Sequence, residues 1–130
     1  LSKKKSECEG KHISQTNTMG LTWNLHILEP MQSVKHFGMF QFKEEVSQDQ
    51  IAACFLELKS MEKKIPGLLD IHHGPYVGTE DLNEDFSHGF IMTFENEAAL
   101  EDYLPHPEHE RVKSLVVPLL EKLVVFDFLV

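Results

Sequence analysis

The sequence contains few cysteines and no long apolar run. Its two cysteines, Cys8 in a polar segment and Cys54 among apolar residues, favour free thiols in a reducing compartment over a disulfide framework, and they fit no zinc spacing. No run approaches 18 apolar residues, so no transmembrane helix is predicted. The lysines at positions 3–5 are not followed by an apolar segment, so no secretory signal is predicted. We therefore expect a cytoplasmic protein.

Positive charge is also scarce. The 130 residues include 12 Lys and Arg against 21 Asp and Glu, which gives a net charge of −9. Residues 1–33 carry +1 (four Lys, three Glu), so the acidity belongs to residues 34–130, where 8 Lys and Arg face 18 Asp and Glu. Binding to phosphates or to an anionic bilayer requires a basic surface, so neither nucleic acid nor a membrane is an expected partner.

Residues 1–33 form an N-terminal extension with little helical or strand pattern. Residues 1–18 are polar and are predicted to be a mobile tail. Apolar residues then alternate with polar ones over 20–28, which predicts an extra strand. Two interpretations stay open: an edge strand or arm that packs on a partner, or an upstream extension ahead of a natural start at Met31.

Residues 34–130 carry clear strand and helix patterns. The aromatic-rich residues 36–42 predict a strand, and a capping box at 47–50 begins a helical apolar stripe that ends at 66–67. Two strands follow, at 68–77 with a bulge or bend at Gly74-Pro75, and at 86–95. Two short helices come next, one capped by Asn96 and one that begins at Pro107 behind a His106 cap. Residues 123–130 predict the last strand.

This order predicts an α+β fold of the ferredoxin-like, split βαβ type, with a four-stranded antiparallel sheet and helices on one face. The first and last strands are apolar on both sides, although helices can cover only one face of such a sheet. A second copy of the same sheet is the simplest cover for the other face, so we expect a homodimer joined through its sheets. The expected interface residues include Phe37, Met39, Val124 and Phe126.

The segment from Tyr103 to His109 contains a tyrosine followed by His-Pro-x-His. With Ile65-Pro66-Gly67, Thr93-Phe94-Glu95 and the last strand in the same order, residues 34–130 resemble the stress-responsive A/B barrel domain (Dabb) family. Residues 1–33 have no counterpart in it. The resemblance implies that two protomers pair their sheets into a barrel, and that a cavity lies between each sheet and its own helices.

The functions of this family are diverse, and the resemblance implies more than one. Some plant members are stress-induced or antimicrobial, and one is a cyclase that folds a linear polyketide and closes its ring by aldol chemistry. Residues of that cyclase match His36, His88, Tyr103 and His109, and its paired tyrosine and histidine match Tyr103 and His109. This chain departs from the cyclase at Gly38, Leu58 and His73. The outline of the pocket must therefore differ, so the cyclase's substrate is not carried over to this protein.

Tyr103 and His109 are the candidate catalytic residues. A neutral histidine can take up a proton and return it near pH 7, and the positive end of the helix that begins at Pro107 disfavours the imidazolium form. The tyrosine hydroxyl could donate a hydrogen bond to a carbonyl whose neighbouring carbon loses a proton. In the structural alternative, His106 caps the helix, Tyr103 fills the gap between helix and sheet, and His109 bonds a neighbour.

The candidate ligand-binding residues are those expected around the cavity: His36, Phe40, Phe55, Leu58, His88, Phe90 and Met92. In the alternative interpretation, His36 and His88 are buried histidines that pair with the backbone or with Asp127. His72 and His73 face opposite sides of a strand, and the pair formed by His106 and His109 lacks a third ligand. We therefore predict no metal site, and no cofactor.

The leading hypothesis is a homodimer that binds a small apolar organic molecule and acts on it by acid-base chemistry. One alternative is a non-catalytic, stress-associated structural or interaction protein. The other is a cofactor-free monooxygenase of the antibiotic biosynthesis type. An open cavity of about 300 Å³ beside Tyr103 and His109 would favour a small-molecule site, and a filled one would favour the structural alternative.

Overall fold

The computed structural model describes residues 14–16, 22–24 and 32–130. The chain divides into two units, Leu1–Met31 and Gln32–Val130. In the first unit, strand β1 (Ser14–Thr16) pairs antiparallel with strand β2 (Thr22–Asn24). Strand β2 lies inside the predicted extra strand, and β1 lies inside the segment predicted as a tail. The remainder of both predictions falls outside the described residues.

The second unit contains the predicted succession of strands and helices. The helices begin where the sequence supplies a cap: the Ser47 hydroxyl accepts a hydrogen bond from Gln50 N, and the Asn96 side chain accepts one from Ala99 N. None of the helices in the described ranges is long and apolar enough to cross a bilayer. In chain order, the elements are β3 (Val34–Phe42), α1 (Gln48–Ser60), a 3₁₀ turn (Met61–Lys63), β4 (Leu68–Pro75), β5 (His88–Phe94), α2 (Glu97–Tyr103), α3 (Pro107–Val116), a 3₁₀ turn (Val117–Leu119) and β6 (Leu120–Leu129).

The four long strands form one antiparallel sheet in the order β4-β5-β3-β6, which is the ferredoxin-like arrangement. The predicted fold class is confirmed. Of the bulge or bend predicted at Gly74-Pro75, the bulge is wrong, because these residues pair regularly with Gly89 and His88. Pro75 is the last residue of an edge strand, where its missing N–H does not interrupt the ladder. The register shift in β4 lies between Leu68 and Asp70 instead.

The two faces of the sheet have different surroundings. On β3, alternate residues such as His36 and Phe40 are buried on the helix side, whereas Met39 is 39% exposed on the opposite side. Phe37 pairs with Phe126 and Met39 with Val124, so the four predicted interface residues share one surface. We call this surface the outer face. Its apolar residues are Phe37, Met39, Ile91, Val124, Phe126 and Phe128.

Deletion of residues 1–18 is expected to leave the second unit folded, because the buried core formed by the described residues lies within Gln32–Val130. The melting temperature should change by less than the few degrees that about 1 kcal/mol produces in a domain of this size. Thermal denaturation followed by circular dichroism measures it. A larger drop would show that this segment contributes to the packing of the domain.

Candidate functional site

A cavity of about 220 Å³ lies between the sheet and helices α1 and α3. Leu123 and Val125 of β6 form part of its wall and are each 44% exposed, so the cavity opens to solvent beside this strand. It is open, but smaller than the ~300 Å³ at the lower end of small-molecule sites. Seven of the predicted site residues line it: His36, Phe40, Leu58, Phe90, Met92, Tyr103 and His109.

The other two predicted ligand-binding residues, Phe55 and His88, do not line this cavity. Phe55 is buried, with its ring centroid 4.6 Å from that of His73 and 5.5 Å from that of His88. His88 Nδ1 lies 2.8 Å from the Ser87 hydroxyl, and its ring borders a second cavity of about 250 Å³ near Tyr76. These aromatic residues pack together toward β4, away from the wall formed by β6.

The rings of Tyr103 and His109 are stacked, with centroids 4.0 Å apart and planes 25° apart. Tyr103 ends α2 and is 2% exposed, and its ring also packs on Phe94 and His36 at 4.9 and 5.5 Å. His109 lies in the first turn of α3. Tyr103 and His109 are six positions apart in the sequence, across a helix break at Pro105, and the fold brings their rings into direct contact.

The hydrogen bond of His109 identifies its tautomer. Its Nδ1 lies 2.9 Å from the carbonyl oxygen of Leu104, and because a carbonyl only accepts, Nδ1 carries the hydrogen. In the neutral ring, Nε2 is then the free acceptor. Burial lowers the pKa of His109 and outweighs the opposing effect of the Leu104 carbonyl, with a smaller lowering from the Lys113 charge. The imidazole is therefore neutral at pH 7, as a base must be.

His36 supplies a second polar group to the cavity wall. It is 6% exposed, and its Nδ1 lies 2.5 Å from Asp127 Oδ1, in agreement with the alternative in which this histidine pairs with Asp127. Burial, reinforced by the negative charge of Asp127, raises the pKa of Tyr103 above its ordinary value. The tyrosine hydroxyl thus keeps its proton and is available as a hydrogen-bond donor.

His106 has the structural role that the alternative assigned to it. Its Nδ1 accepts a hydrogen bond from the backbone N–H of Glu108 at 3.0 Å, and Pro107 occupies the first position of α3. Within residues 14–16, 22–24 and 32–130, no three His, Cys, Asp or Glu side chains are grouped closely enough to hold a metal ion.

Several residues of the cavity wall were not among those predicted from the sequence. Three of them follow His109 by three, four and seven positions along α3: Val112, Lys113 and Val116. Helical spacing from His109 was the available signal, because side chains at these separations share one face. The charge of Lys113 distinguishes it from the other lining residues.

Gly38 is one of the positions at which this chain was expected to depart from the cyclase, and its surroundings show what occupies the space beside it. A Cβ atom at this position would lie 2.6 Å from the Phe90 ring and 2.8 Å from the carbonyl oxygen of Val124. The Phe90 ring therefore occupies the space of the missing side chain and forms the cavity wall there.

Replacement of Gly38 by alanine is expected to lower the free energy of unfolding by about 1–3 kcal/mol, the typical cost of overpacking. Gly74→Ala is the matched control on β4, because nothing lies within 4 Å of an added Cβ and alanine is favoured over glycine within a strand. Urea unfolding of both variants measures the difference. Equal stability of the two would contradict the assigned contact between Gly38 and Phe90.

Stability is expected to fall when the pH drops below about 6.5, the value for an unperturbed histidine. Burial lowers the pKa values of His109 and His88 in the folded protein. Between the lowered pKa values of the folded protein and pH 6.5, the unfolded chain therefore binds more protons than the folded one. The free energy of unfolding rises with pH across this window, and the full contribution of these histidines is present above it. Melting temperatures between pH 5 and pH 8 measure this, and His109→Gln should flatten the profile. A melting temperature that increases on acidification would contradict it.

The fold and the site define a small α+β protein with an apolar cavity and a stacked tyrosine–histidine pair on its wall. The model of the stress responsive A/B barrel domain matches residues 34–130, which is three-quarters of the chain. The protein belongs to this family, so the family predicted from the motifs is confirmed.

Curated relatives cover the same part of the chain. Olivetolic acid cyclase from Cannabis sativa is 29% identical over 96 residues, which span 74% of this chain and 95% of the cyclase. The stress-response A/B barrel domain-containing protein HS1 from Arabidopsis thaliana is 30% identical over 95 residues, or 73% of this chain and 87% of HS1. An enzyme and a protein named for a stress response are thus about equally similar to this chain.

Solved structures extend the comparison. A dimeric ferredoxin-like protein of unknown function from Jannaschia sp. superposes with a TM-score of 0.67 at 29% identity, over 74% of this chain and 97% of that one. SnoaB, a cofactor-independent oxygenase from Streptomyces nogalater, superposes with a TM-score of 0.58 at 14% identity, over 74% and 90% of the two chains. At this low identity, the similarity to SnoaB shows only that the two proteins share a fold.

Proposed function

We propose that this protein is a homodimer whose cavity binds a small, largely apolar organic molecule and catalyses proton transfer at a carbon next to a carbonyl group. The observation that carries the proposal is the stacked pair of Tyr103 and His109 on the wall of an otherwise mostly apolar cavity. Perturbed titratable groups that converge in such a cavity are a physical basis for assigning a site.

In this proposal His109 is the base. Its Nε2 takes the proton from the carbon, and the C–H electron pair moves into the carbonyl to form an enolate. The bond from Nδ1–H to the Leu104 carbonyl fixes the ring and favours the positive charge that the imidazole gains. Tyr103, which keeps its proton, donates a hydrogen bond to the developing oxyanion. The enolate then attacks a second carbonyl of the same molecule, as in a cyclase, or regains its proton.

The proposed homodimer rests on the outer face. Six apolar residues lie there with no helix of the described unit over them, and Phe126 is 57% exposed. The relative of 29% identity from Jannaschia is described as dimeric. Pairing the outer faces of two copies would remove this apolar surface from water. We also propose a cytoplasmic location, which rests on the scarcity of cysteine.

Exchange of carbon-bound hydrogen tests the proposed chemistry without knowledge of the natural substrate. Phenylacetone, a ketone with one aromatic ring, is incubated with the protein in D₂O, and loss of the signals of protons next to its carbonyl is followed by NMR. We expect exchange faster than in buffer and saturable with ketone. A rate equal to that of buffer, across a series of small aryl ketones, would contradict the catalytic proposal.

The non-catalytic alternative has two observations in its favour. The cavity of about 220 Å³ is smaller than ordinary small-molecule sites, and Tyr103 is packed into the core as a structural residue would be. In that case the protein binds no ketone and its barrel serves association with other macromolecules. The monooxygenase alternative is supported only by a shared fold.

A further inference from the structure

Lys113 brings a positive charge to the rim of the cavity. It follows His109 by one helical turn on α3, and both side chains line the cavity. No other lysine, and no arginine, aspartate or glutamate, is among the described residues that line it. The wall therefore combines apolar side chains, the hydrogen-bonding groups of Tyr103 and two histidines, and a single cation.

This charge is available to a ligand. Lys113 Nζ lies 3.3 Å from Glu110 Oε2, three positions back on the same helix, and the two side chains are 48% and 55% exposed. An exposed ion pair of this kind contributes little to stability, so a ligand anion at the rim can replace Glu110 at small cost. The Lys113 charge also contributes to the lowered pKa of His109, which indicates that the two side chains interact electrostatically.

We propose, on the basis of the function proposed above, that the ligand is a carboxylic acid whose carboxylate binds Lys113 at the rim while its apolar body lies beside Tyr103 and His109. A carboxylate fits better than a phosphate. One ammonium group balances the single negative charge of a carboxylate, whereas a phosphate group carries nearly two negative charges near pH 7 and commonly binds at a free helix N-terminus. The N-terminus of α3 is already capped by His106.

The size of the cavity limits the apolar body of this acid. A cavity of about 150 Å³ holds benzene, so about 220 Å³ holds one aromatic ring with a short chain, or an aliphatic chain of similar volume. The proposed ligand class is thus a small aryl-substituted or medium-chain carboxylic acid. In the competing explanation, the four-carbon stem of Lys113 only covers apolar wall and its charge does not affect binding.

Calorimetric titration of two matched ligands separates these explanations. 3-Phenylpropanoate and 3-phenylpropanamide have nearly the same shape and differ in charge, and both are titrated at pH 7.5 and low salt. The proteins are the parent, Lys113→Met, which keeps the length of the side chain, and Lys63→Met, which removes the same charge from an exposed residue outside the cavity wall.

We expect the acid to bind the parent and Lys63→Met about fivefold to tenfold more tightly than the amide, the scale of a partly exposed charge-assisted hydrogen bond. In Lys113→Met the acid should bind no better than the amide, while the affinity for the amide changes less than about twofold. The advantage of the acid should also shrink as salt is added.

Other outcomes overturn the inference in distinguishable ways. Equal binding of acid and amide to the parent would refute the carboxylate and leave the proposed apolar site standing. An advantage of the acid that survives Lys113→Met would assign it to another group and refute the role of Lys113. Binding of neither ligand would count against both the carboxylate and the proposed function.

Discussion

Replacement of His109 by alanine is expected to lower the rate of ketone proton exchange by roughly 100-fold or more, the scale of a lost general base. The physical reason is that Nε2 of this neutral ring is the proposed proton acceptor, held in place by the bond from Nδ1 to the Leu104 carbonyl. The measurement is the NMR exchange rate at saturating phenylacetone. Far-ultraviolet circular dichroism and sedimentation verify that the variant stays folded and dimeric.

Two further variants make this result specific. Tyr103→Phe removes only the hydroxyl that donates to the oxyanion, so exchange should slow while the stacked ring and the fold persist. His72→Ala is the control, because this exposed histidine lies on the opposite side of the sheet from the cavity and its variant should exchange like the parent. If His109→Ala and Tyr103→Phe retain the parental rate as folded dimers, the catalytic proposal is wrong and the structural one stands.

Substitution of Phe126 by glutamate is expected to convert the proposed homodimer into a monomer. In a symmetric dimer the change occurs twice, and each copy loses about 1.5–3 kcal/mol of apolar burial and places a charge in an apolar interface. The dissociation constant should therefore increase by roughly 1,000-fold or more, since each 1.4 kcal/mol is a factor of about ten. Sedimentation equilibrium should give twice 15.0 kDa for the parent and 15.0 kDa for the variant at micromolar concentration.

The matched control for this experiment is Leu56→Glu. Leu56 is 74% exposed on α1, on the helix side of the sheet, so the variant adds the same charge outside the proposed interface and should remain dimeric. A parent protein that sediments as a stable monomer would refute the dimer itself. A Phe126→Glu variant that remains dimeric would show that the subunits meet through another surface.

The sequence by itself determined the elements of the domain and their order. The capping residues Ser47 and Asn96, and Pro107 behind His106, fix where the helices begin through local hydrogen bonds, which are readable from neighbouring positions. The alternation along β3 placed Phe37 and Met39 on one surface, which the register with β6 supports. The family also followed from sequence, because the tyrosine and His-Pro-x-His element is a local motif.

The composition of the cavity was decided by the tertiary structure. The Phe55 ring contacts both Phe40, which lines the cavity, and His88, which does not. All three lie between the sheet and the helices, so the sequence pattern could not show that Phe55 and His88 pack toward β4. Lys113 was missed because a lysine on a helix is ordinarily a solvated surface residue. Its position at the rim depends on where α3, which packs on α1, places this face relative to β6 across the cavity.

The protonation state of His109 and its stacking on Tyr103 were also decided by the tertiary structure. A neutral His109 was predicted from its position at the helix N-terminus, whereas burial is the main cause of its lowered pKa. Stacking on Tyr103 at 4.0 Å depends on the path of the chain through the break at Pro105, which no periodicity encodes. Local rules act over one or two turns of chain, but burial and ring contact are set by elements that meet only after the chain has folded.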